Sequence, residues 1–574
     1  MEIAGHIPWA MSLGVCCLVV AGYLLYRAAL PTPIEGIPYN DHAVRRILGD
    51  IPDVIAHYRN TSEMFSFLTA QLVKHNSPII QLFMRPFSKP WIIISDFRES
   101  QDILSRRTRE FDRSGFFGDL FINLVPSNHV HMLTNDEWRS HRRLIADTMS
   151  TPFLQGVAGP RLYETVNNLI DLWREKARLA QNHPFDVHKD VYKASLDVIW
   201  AASFGSDIGV TKKQLELLRS IDRLDRPKDT GTAVTLPTAA DPEAFEAIMT
   251  LSDSVEIAMN SPVPRIHHGL ALRFLPRLAS AVKAKDKLMK EHLDASWRKF
   301  SSGAAKEDDV RCALDLIVRR EVIMAGKEGR APAYDTPVIR DELFGFLVAG
   351  HETTSTAACW GTKFLTAYPV VQEKLRSTLR AVFKRAYDAG EAPTNQEIVT
   401  SNIPYLDATI EEIHRLGTTA PANMRRATED TEIFGHRIPK GTDVFMISTG
   451  PGFHSAPLPM DEAKRSKASQ ESINKNGTWD PTDIGEFKPE RWLLKNEKGE
   501  IAFDSRAGPT LPFGGGPRAC FGRKLASLEL KIIFVLVIWN FDLLPIPDAM
   551  ASFAARDVVT HTPQHCYLRL AEAK

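Results

Sequence analysis

One cysteine in this chain stands in a setting built to present it. The stretch Phe513-Gly514-Gly515-Gly516-Pro517-Arg518-Ala519-Cys520-Phe521-Gly522 leads into Phe521 to Trp539, whose Leu525, Leu528, Ile532, Ile533, Leu536 and Trp539 recur at helical spacing. That pattern predicts Cys520 at a helix N-terminus, where the macrodipole and unpaired N–H groups favour the thiolate, the form of cysteine that binds metals. The glycines permit positive φ and let backbone approach a flat ligand closely. Arg518, two residues before the cysteine, offers a planar fork to a carboxylate. Three glycines alone fit a plain turn with a structural cysteine equally well. A phosphate loop does not fit, because Gly522-Arg523-Lys524-Leu525 lacks the Gly-Lys-Ser/Thr ending.

A second centre lies in a long apolar run. Thr336 and Pro337 make a cap and first position for a helix reaching to about Tyr368, with Asp341 and Glu342 expected in its first turn. Its middle reads Phe344-Gly345-Phe346-Leu347-Val348-Ala349-Gly350-His351-Glu352-Thr353-Thr354, and an acid inside an uncharged helix needs a reason. His351-Glu352 invites a zinc-protease reading, but the second histidine that this requires is absent, since Ser355 stands there. Gly350 costs about 1 kcal/mol against alanine in a helix, which suggests room reserved beside the backbone. Thr353 can turn its hydroxyl to the Ala349 carbonyl and loosen the ladder there. Three charged patterns complete the set: Trp138 and Arg142 four apart on one helix face, Glu412 and Arg415 three apart on another, and Arg491 in Phe487-Lys488-Pro489-Glu490-Arg491-Trp492. Each alone also describes an ordinary solvated helix face.

Taken together and in order, these motifs resemble the cytochrome P-450 family. The spacing Phe-x-x-Gly-x-Arg-x-Cys-x-Gly is matched at Phe513, Gly516, Arg518, Cys520 and Gly522, and Ala-Gly-x-Glu-Thr-Thr at Ala349 to Thr354. The resemblance implies haem b with Cys520 as the thiolate ligand to iron. It implies that Trp138, Arg142 and Arg425 join Phe513, Gly516, Arg518 and Gly522 in holding the cofactor, with Arg426 an alternative to Arg425. Glu352 and Thr353 become the acid and alcohol of proton delivery, and Glu412, Arg415 and Arg491 a structural triad. It further implies a mainly α fold with small β sheets, and monooxygenation of an apolar small molecule with electrons from NADPH-cytochrome P-450 reductase docking near Arg142, Arg143, Arg523 and Lys524. Segments near Phe116 to Val130 and Ser206 to Pro264 would roof the substrate pocket. Local likeness over Thr353 to Trp360 and Pro421 to Val444 is to fungal microsomal enzymes of natural-product biosynthesis. An isomerase or dehydratase of the family, or a non-catalytic haem sensor, is the alternative; neither needs Glu352 and Thr353 together.

The elements that must position these residues follow from the rest of the chain. With 574 residues and 44% hydrophobic content the core can be large, and Lys+Arg and Asp+Glu both total 70, so no global field calls for nucleic acid. Six scattered cysteines suit a reducing compartment better than a disulfide framework. Ile7 to Tyr26 carry no charge and Arg27 follows, the pattern of a single membrane-crossing helix with the downstream chain cytosolic; the resemblance to microsomal enzymes implies the endoplasmic reticulum membrane. The glycosylation patterns at Asn60 and Asn476 are then expected to go unused. Pro31, Pro33 and Pro38 make a stiff connector, giving an anchor over residues 1–30, a hinge over 31–50 and a haem domain over 51–574. Ile79 to Met84 and Trp91 to Ser95 predict a hairpin, as do Glu432 to Phe434 with Asp443 to Ile447. Pro404 opens a helix, residues 455–478 read as a surface insertion, and Pro264 heads an apolar, basic run suited to a membrane surface. His561, His565 and Cys566 cluster near the end but lack a fourth metal ligand.

Overall fold

The computed structural model describes residues 6–301, 306–473 and 475–573, with the side chains of 6–12 and 307 outside the description. The chain forms two compact units, one of residues 1–112, 422–452 and 456–473, the other of 113–421, 453–455 and 474–574.

The first unit opens with α1, His6–Ala29. Among the described residues no helix is long and apolar enough to cross a membrane, so the expected crossing over Ile7 to Tyr26 is not supported. The side chains of residues 7–12 lie outside the description, and the run from Leu13 onward is shorter than the roughly 20 residues that the hydrocarbon core demands. From there the apolar side chains of Leu13, Leu18 and Leu25 are exposed.

The unit's sheet contains β1 (Ile79–Leu82), β2 (Trp91–Ile94), β3 (Phe111–Arg113) and β4 (Ala422–Ala427). Further along come β5 (Thr431–Ile433), β6 (His436–Ile438) and β7 (Asp443–Ile447). Strands run in the order β1-β2-β7-β4-β3, and β1 and β2 form the expected antiparallel hairpin. The second expected hairpin is wrong in its pairing. β5 closes on β6 through Phe434 and Gly435, whose φ values of 52° and 76° make a tight turn of the kind that suits hairpins. Freed from that partner, β7 runs parallel to β2 and antiparallel to β4, with all its residues buried. Arg425 and Arg426 therefore sit inside a sheet strand, ahead of the β5–β6 hairpin.

The second unit is mainly helical around one apolar core. Its chemistry rests on α2 (Asp136–Ile145), α3 (His188–Phe204), α4 (Pro337–Ala367), α5 (Pro404–Leu416) and α6 (Arg523–Asn540). At about 1.5 Å per residue the 31 residues of α4 make a rod of roughly 46 Å. Thr336 caps it, accepting from the Ile339 amide at 3.2 Å. Asp341 and Glu342, expected in the first turn, fall beyond it and are buried. Most of α6 from Leu530 to Ile538 is buried, which is why its sequence is apolar on nearly every face.

Candidate active site

The cysteine loop is shaped by two left-handed glycines, Gly514 and Gly516, each with φ of 66°, and Gly516–Arg518 form a single 3-10 turn. The Cys520 amide closes the loop on the Phe513 carbonyl at 2.8 Å. α6 begins at Arg523, three residues beyond Cys520, so the cysteine precedes the helix and does not open it. The sulfur still collects what a helix start provides: the amides of Gly522 and Arg523 donate to it, and Arg142 and Arg523 act on it as cations. Cys520 is exposed at its tip, yet burial of its surroundings outweighs those groups and pushes the thiol up from its ordinary value. The amide donors expected to favour a thiolate are therefore present, while burial acts against them.

Around the cysteine, α2 supplies Trp138 and Arg142. Asn135 caps this helix by accepting from the Trp138 amide at 2.8 Å. The Arg142 guanidinium lies 4.8 Å over the Phe521 ring and 5.7 Å over Trp138, while Arg518 lies 4.7 Å over the other aromatic partner, Trp138 again. Arg142 makes no ion pair among the described residues; Cys520 and Glu342 act on it only through space. Of the other expected docking cations, Arg143 is exposed, Arg523 is 3.7 Å from Glu411, and Lys524 reaches the Met149 carbonyl at 3.4 Å. In the first unit, Arg425 is buried with its side chain on the Met424 carbonyl, and burial lowers its pKa to about 10. Its neighbour Arg426 is committed to Asp443 by two bonds of 2.9 and 2.7 Å, so of the two arginines Arg425 is the one still suited to an anion.

One cluster here escaped the sequence reading. Glu342 accepts from the Nδ1 atoms of His129 at 2.6 Å and His141 at 3.0 Å and from the His129 amide at 2.8 Å, which together hold its carboxyl below the usual range despite burial. It ties α4 to α2 one residue before Arg142. The signal was present as a histidine three residues after Trp138, but a histidine in a basic run carries no mark of a buried partner 201 positions away.

On α4, Ala349 and Thr353 are exposed although Val348, His351, Thr354 and Ser355 around them are buried, so one strip of the helix borders an opening. Thr353 donates to the Ala349 carbonyl at 2.7 Å, the back-bond expected. Glu352 accepts from the Thr560 hydroxyl at 3.2 Å, and burial, aided by Asp253 and Glu256, pushes its pKa up to about 7. An acid near neutrality beside an exposed alcohol can exchange protons at physiological pH. At Gly350 the room expected beside the backbone is occupied. A Cβ there would stand 2.8 Å from Ile199 of α3, so the missing side chain accommodates a neighbouring helix.

Below lies the triad. Arg415 donates to both Glu412 oxygens at 2.8 Å and to the carbonyls of Phe453 and Ile484. Arg491 Nε reaches Glu412 at 2.9 Å, and Trp492 Nε1 and the Lys488 amide complete the carboxylate's shell. Removing one partner leaves buried charges uncompensated, at a cost of about 3–5 kcal/mol. Glu412→Ala is therefore expected to lower the denaturant midpoint by that equivalent, and a midpoint within error of wild type would show the network to be dispensable.

An exposed thiol ringed by amide donors, a neighbouring guanidinium with no carboxylate of its own, and an open strip on α4 suit a flat, anionic, metal-centred group. Among the described residues the donor set is one cysteine sulfur, with no histidine or carboxylate bonded to it, which suits a metal already held by another ligand frame. The Cytochrome P450 family profile matches residues 54–452 and 483–568, passing over the stretch that contains the expected insertion. The chain is 45% identical over 556 residues, 96% of each chain, to cytochrome P450 monooxygenase GME11363 of Pestalotiopsis microspora. It is 37% identical over 591 residues, 98% of this chain and 99% of the relative, to cytochrome P450 monooxygenase TRI13 of Fusarium sporotrichioides. A crystal structure of a cytochrome P450DA mutant heme domain shares its fold at a TM-score of 0.67 and 18% identity, over 95% of this chain and 98% of that one.

Proposed function

This chain belongs to the cytochrome P450 family and is a haem-thiolate monooxygenase; from that premise we propose that it oxidises an apolar small molecule of a fungal natural-product pathway, with electrons from an NADPH-dependent reductase. The observation that carries the reading is Cys520, exposed at its tip and hydrogen-bonded through sulfur to the Gly522 and Arg523 amides. Bound through that sulfur, haem iron supplies the activation of dioxygen. The residues of the chain then have separate tasks. Arg142, Arg518 and Trp138 would hold the cofactor's carboxylates and edge. Phe513, Gly516 and Gly522 shape the loop. Glu352 takes up and releases protons near neutrality, and Thr353 holds a hydroxyl at the opening. The fungal origin of the relatives supports the pathway assignment. Turnover with reductase and NADPH tests the reading: oxygenated product with NADPH consumption supports it, whereas rearranged product without NADPH would favour the isomerase or dehydratase.

Attachment to the endoplasmic reticulum membrane is part of the proposal. Support comes from the exposed apolar side chains of α1 and, in the other unit, from helix Pro264–Phe274, where Ile266, Leu270 and Phe274 are exposed at four-residue spacing beside Arg265 and Arg273. Deleting residues 1–30 is expected to move the protein from the carbonate-resistant pellet into the soluble or carbonate-released fraction while haem uptake persists. A truncated protein that resists carbonate extraction would place the anchor elsewhere.

A further inference from the structure

The acid of α4 is held by a part of the chain far from it in sequence. Strands β8 (Ala555–Asp557) and β9 (His561–Pro563) form an antiparallel hairpin, and Thr560 stands in its turn. That turn is fixed from both sides. The Val558 amide donates to the Thr560 carbonyl at 3.1 Å and the His561 amide to the Thr419 carbonyl at 2.9 Å. Trp360 of α4 donates through Nε1 to the His561 carbonyl at 2.8 Å, and its ring stacks on the His561 ring at 5.7 Å. Glu352, Thr356 and Trp360 are four apart on α4 and share one face, and each of them meets the hairpin. The Thr560 hydroxyl lies 3.2 Å from Glu352 Oε1 and 3.1 Å from the Thr356 hydroxyl. Thr356 and Thr560 are 3% and 4% exposed, so bulk water does not compete for these bonds.

Counting protons gives the pair a direction. A threonine hydroxyl has one proton to donate, and among the described residues the Thr356 hydroxyl has one partner, Thr560. With Glu352 ionised every proton is used: Thr356 donates to Thr560, and Thr560 donates to Oε1. With Oε1 protonated the order reverses, and the Thr356 proton is left in a buried place with no acceptor, a costly arrangement. Protonation at Oε2 keeps the order but makes Oε1 a weaker acceptor. We propose that Thr560 is a positioning residue for Glu352, with Thr356 setting its proton order: the buried hydroxyl pair aims a donor at Oε1, fixes the carboxyl against the hairpin and favours its ionised form.

The pair opposes the other influences on this acid. Burial raises the Glu352 pKa, Asp253 and Glu256 raise it further through space, and the Thr560 bond lowers it. An acid held too far above neutrality yields its proton slowly, so the donor keeps Glu352 within its working range. The remaining titratable groups near it are engaged elsewhere. Glu256, in helix Val255–Met259, is 3.4 Å from Arg556 of β8, and Asp253 closes helix Glu243–Asp253. His351, next to Glu352 on α4, is on the Leu347 carbonyl, and Tyr192 of α3 packs its ring against that of His351. His561 of β9 is bonded to Asp557 at 2.6 Å. Among the described residues Thr560 is the one side chain that donates to Glu352, so replacing it removes that bond and leaves the surrounding charges in place.

The part of Glu352 in proton delivery rests on the function proposed above, so the first readout does not depend on turnover. In the haem-loaded full chain, infrared spectra from about pH 5 to about pH 9, with the Glu352→Gln spectrum subtracted, should show a carboxylic-acid carbonyl band that fades near pH 7. Thr560→Val keeps the side chain's shape without its hydroxyl and should move that midpoint up by about one pH unit, roughly a tenfold loss of acidity, as the loss of a bond to a charged group implies. Thr560→Ser should restore the wild-type midpoint. Thr356→Val should move it up by a smaller step, because Thr560 then donates without the hydroxyl that orders its proton. No titrating band, a Thr560→Val midpoint equal to wild type, or a Thr356→Val midpoint that stays or falls overturns the proposal; a fall would mean that Thr560 gives its proton to Thr356. In turnover, the pH profile of product formed per NADPH should shift with the band in Thr560→Val. A shifted band with an unshifted profile supports the hydroxyl pair and rejects Glu352 as the proton donor of the reaction. Should Thr560→Val fail to fold, the sign of the Thr356→Val shift still decides.

Discussion

Cys520→Ser is expected to abolish thiolate ligation: the wild-type ferrous carbonyl complex should show the strongly red-shifted Soret band of that ligation, and the variant should show none of it. The size of the effect follows from the ligand chemistry. A serine hydroxyl stays protonated at neutral pH and is a far poorer ligand to iron than a thiolate. Geometry removes the escape of a substitute ligand, because the amides of Gly522 and Arg523 converge on this sulfur and no other cysteine lies in the loop. The loop itself should survive, since its shape depends on Gly514, Gly516 and the Cys520 amide bond to Phe513, none of which uses the sulfur. An unchanged Soret band in the variant would remove Cys520 from the site and with it the functional reading.

Thr353→Ala is the second large effect. The side chain is exposed at the opening, and among the described residues its hydroxyl bonds only back to the Ala349 carbonyl, so losing it should leave the fold nearly intact. Loss of a positioned proton donor typically costs about a hundredfold or more in the step it serves. The variant should bind haem and accept electrons while releasing them as hydrogen peroxide, so product should fall far more than NADPH consumption. Glu352 cannot take over by itself, because its carboxyl is turned to Thr560. Coupling equal to wild type would mean that Thr353 only packs the helix and that protons arrive through Glu352 or water.

Local chemistry made much of this legible in advance. A cap, a proline and a long apolar run are written in adjacent residues, which is why α4 was placed from Thr336 onward to within a residue or two. The same holds for the loop at Cys520, where glycine most readily adopts the φ of 66° at Gly514 and Gly516, and for the Thr353 back-bond, which needs nothing beyond its own helix turn. Ion pairs three apart, as at Glu412 and Arg415, are likewise contained in one turn of helix.

What the sequence left undetermined depends on residues far apart in the chain. Pairing of Asp443–Ile447 was decided by β2 and β4, and a strand carries no label for its partner. The reason for Gly350 is Ile199, and the partner of Glu352 is Thr560, 208 positions away. The Cys520 thiol is pushed up because desolvation sums over everything packed nearby while the helix start contributes only two amides and a dipole. Residue types and short spacings therefore determined which groups this protein possesses and which turns they occupy. Tertiary packing alone decided their protonation and their partners, because both depend on solvent exclusion by distant segments.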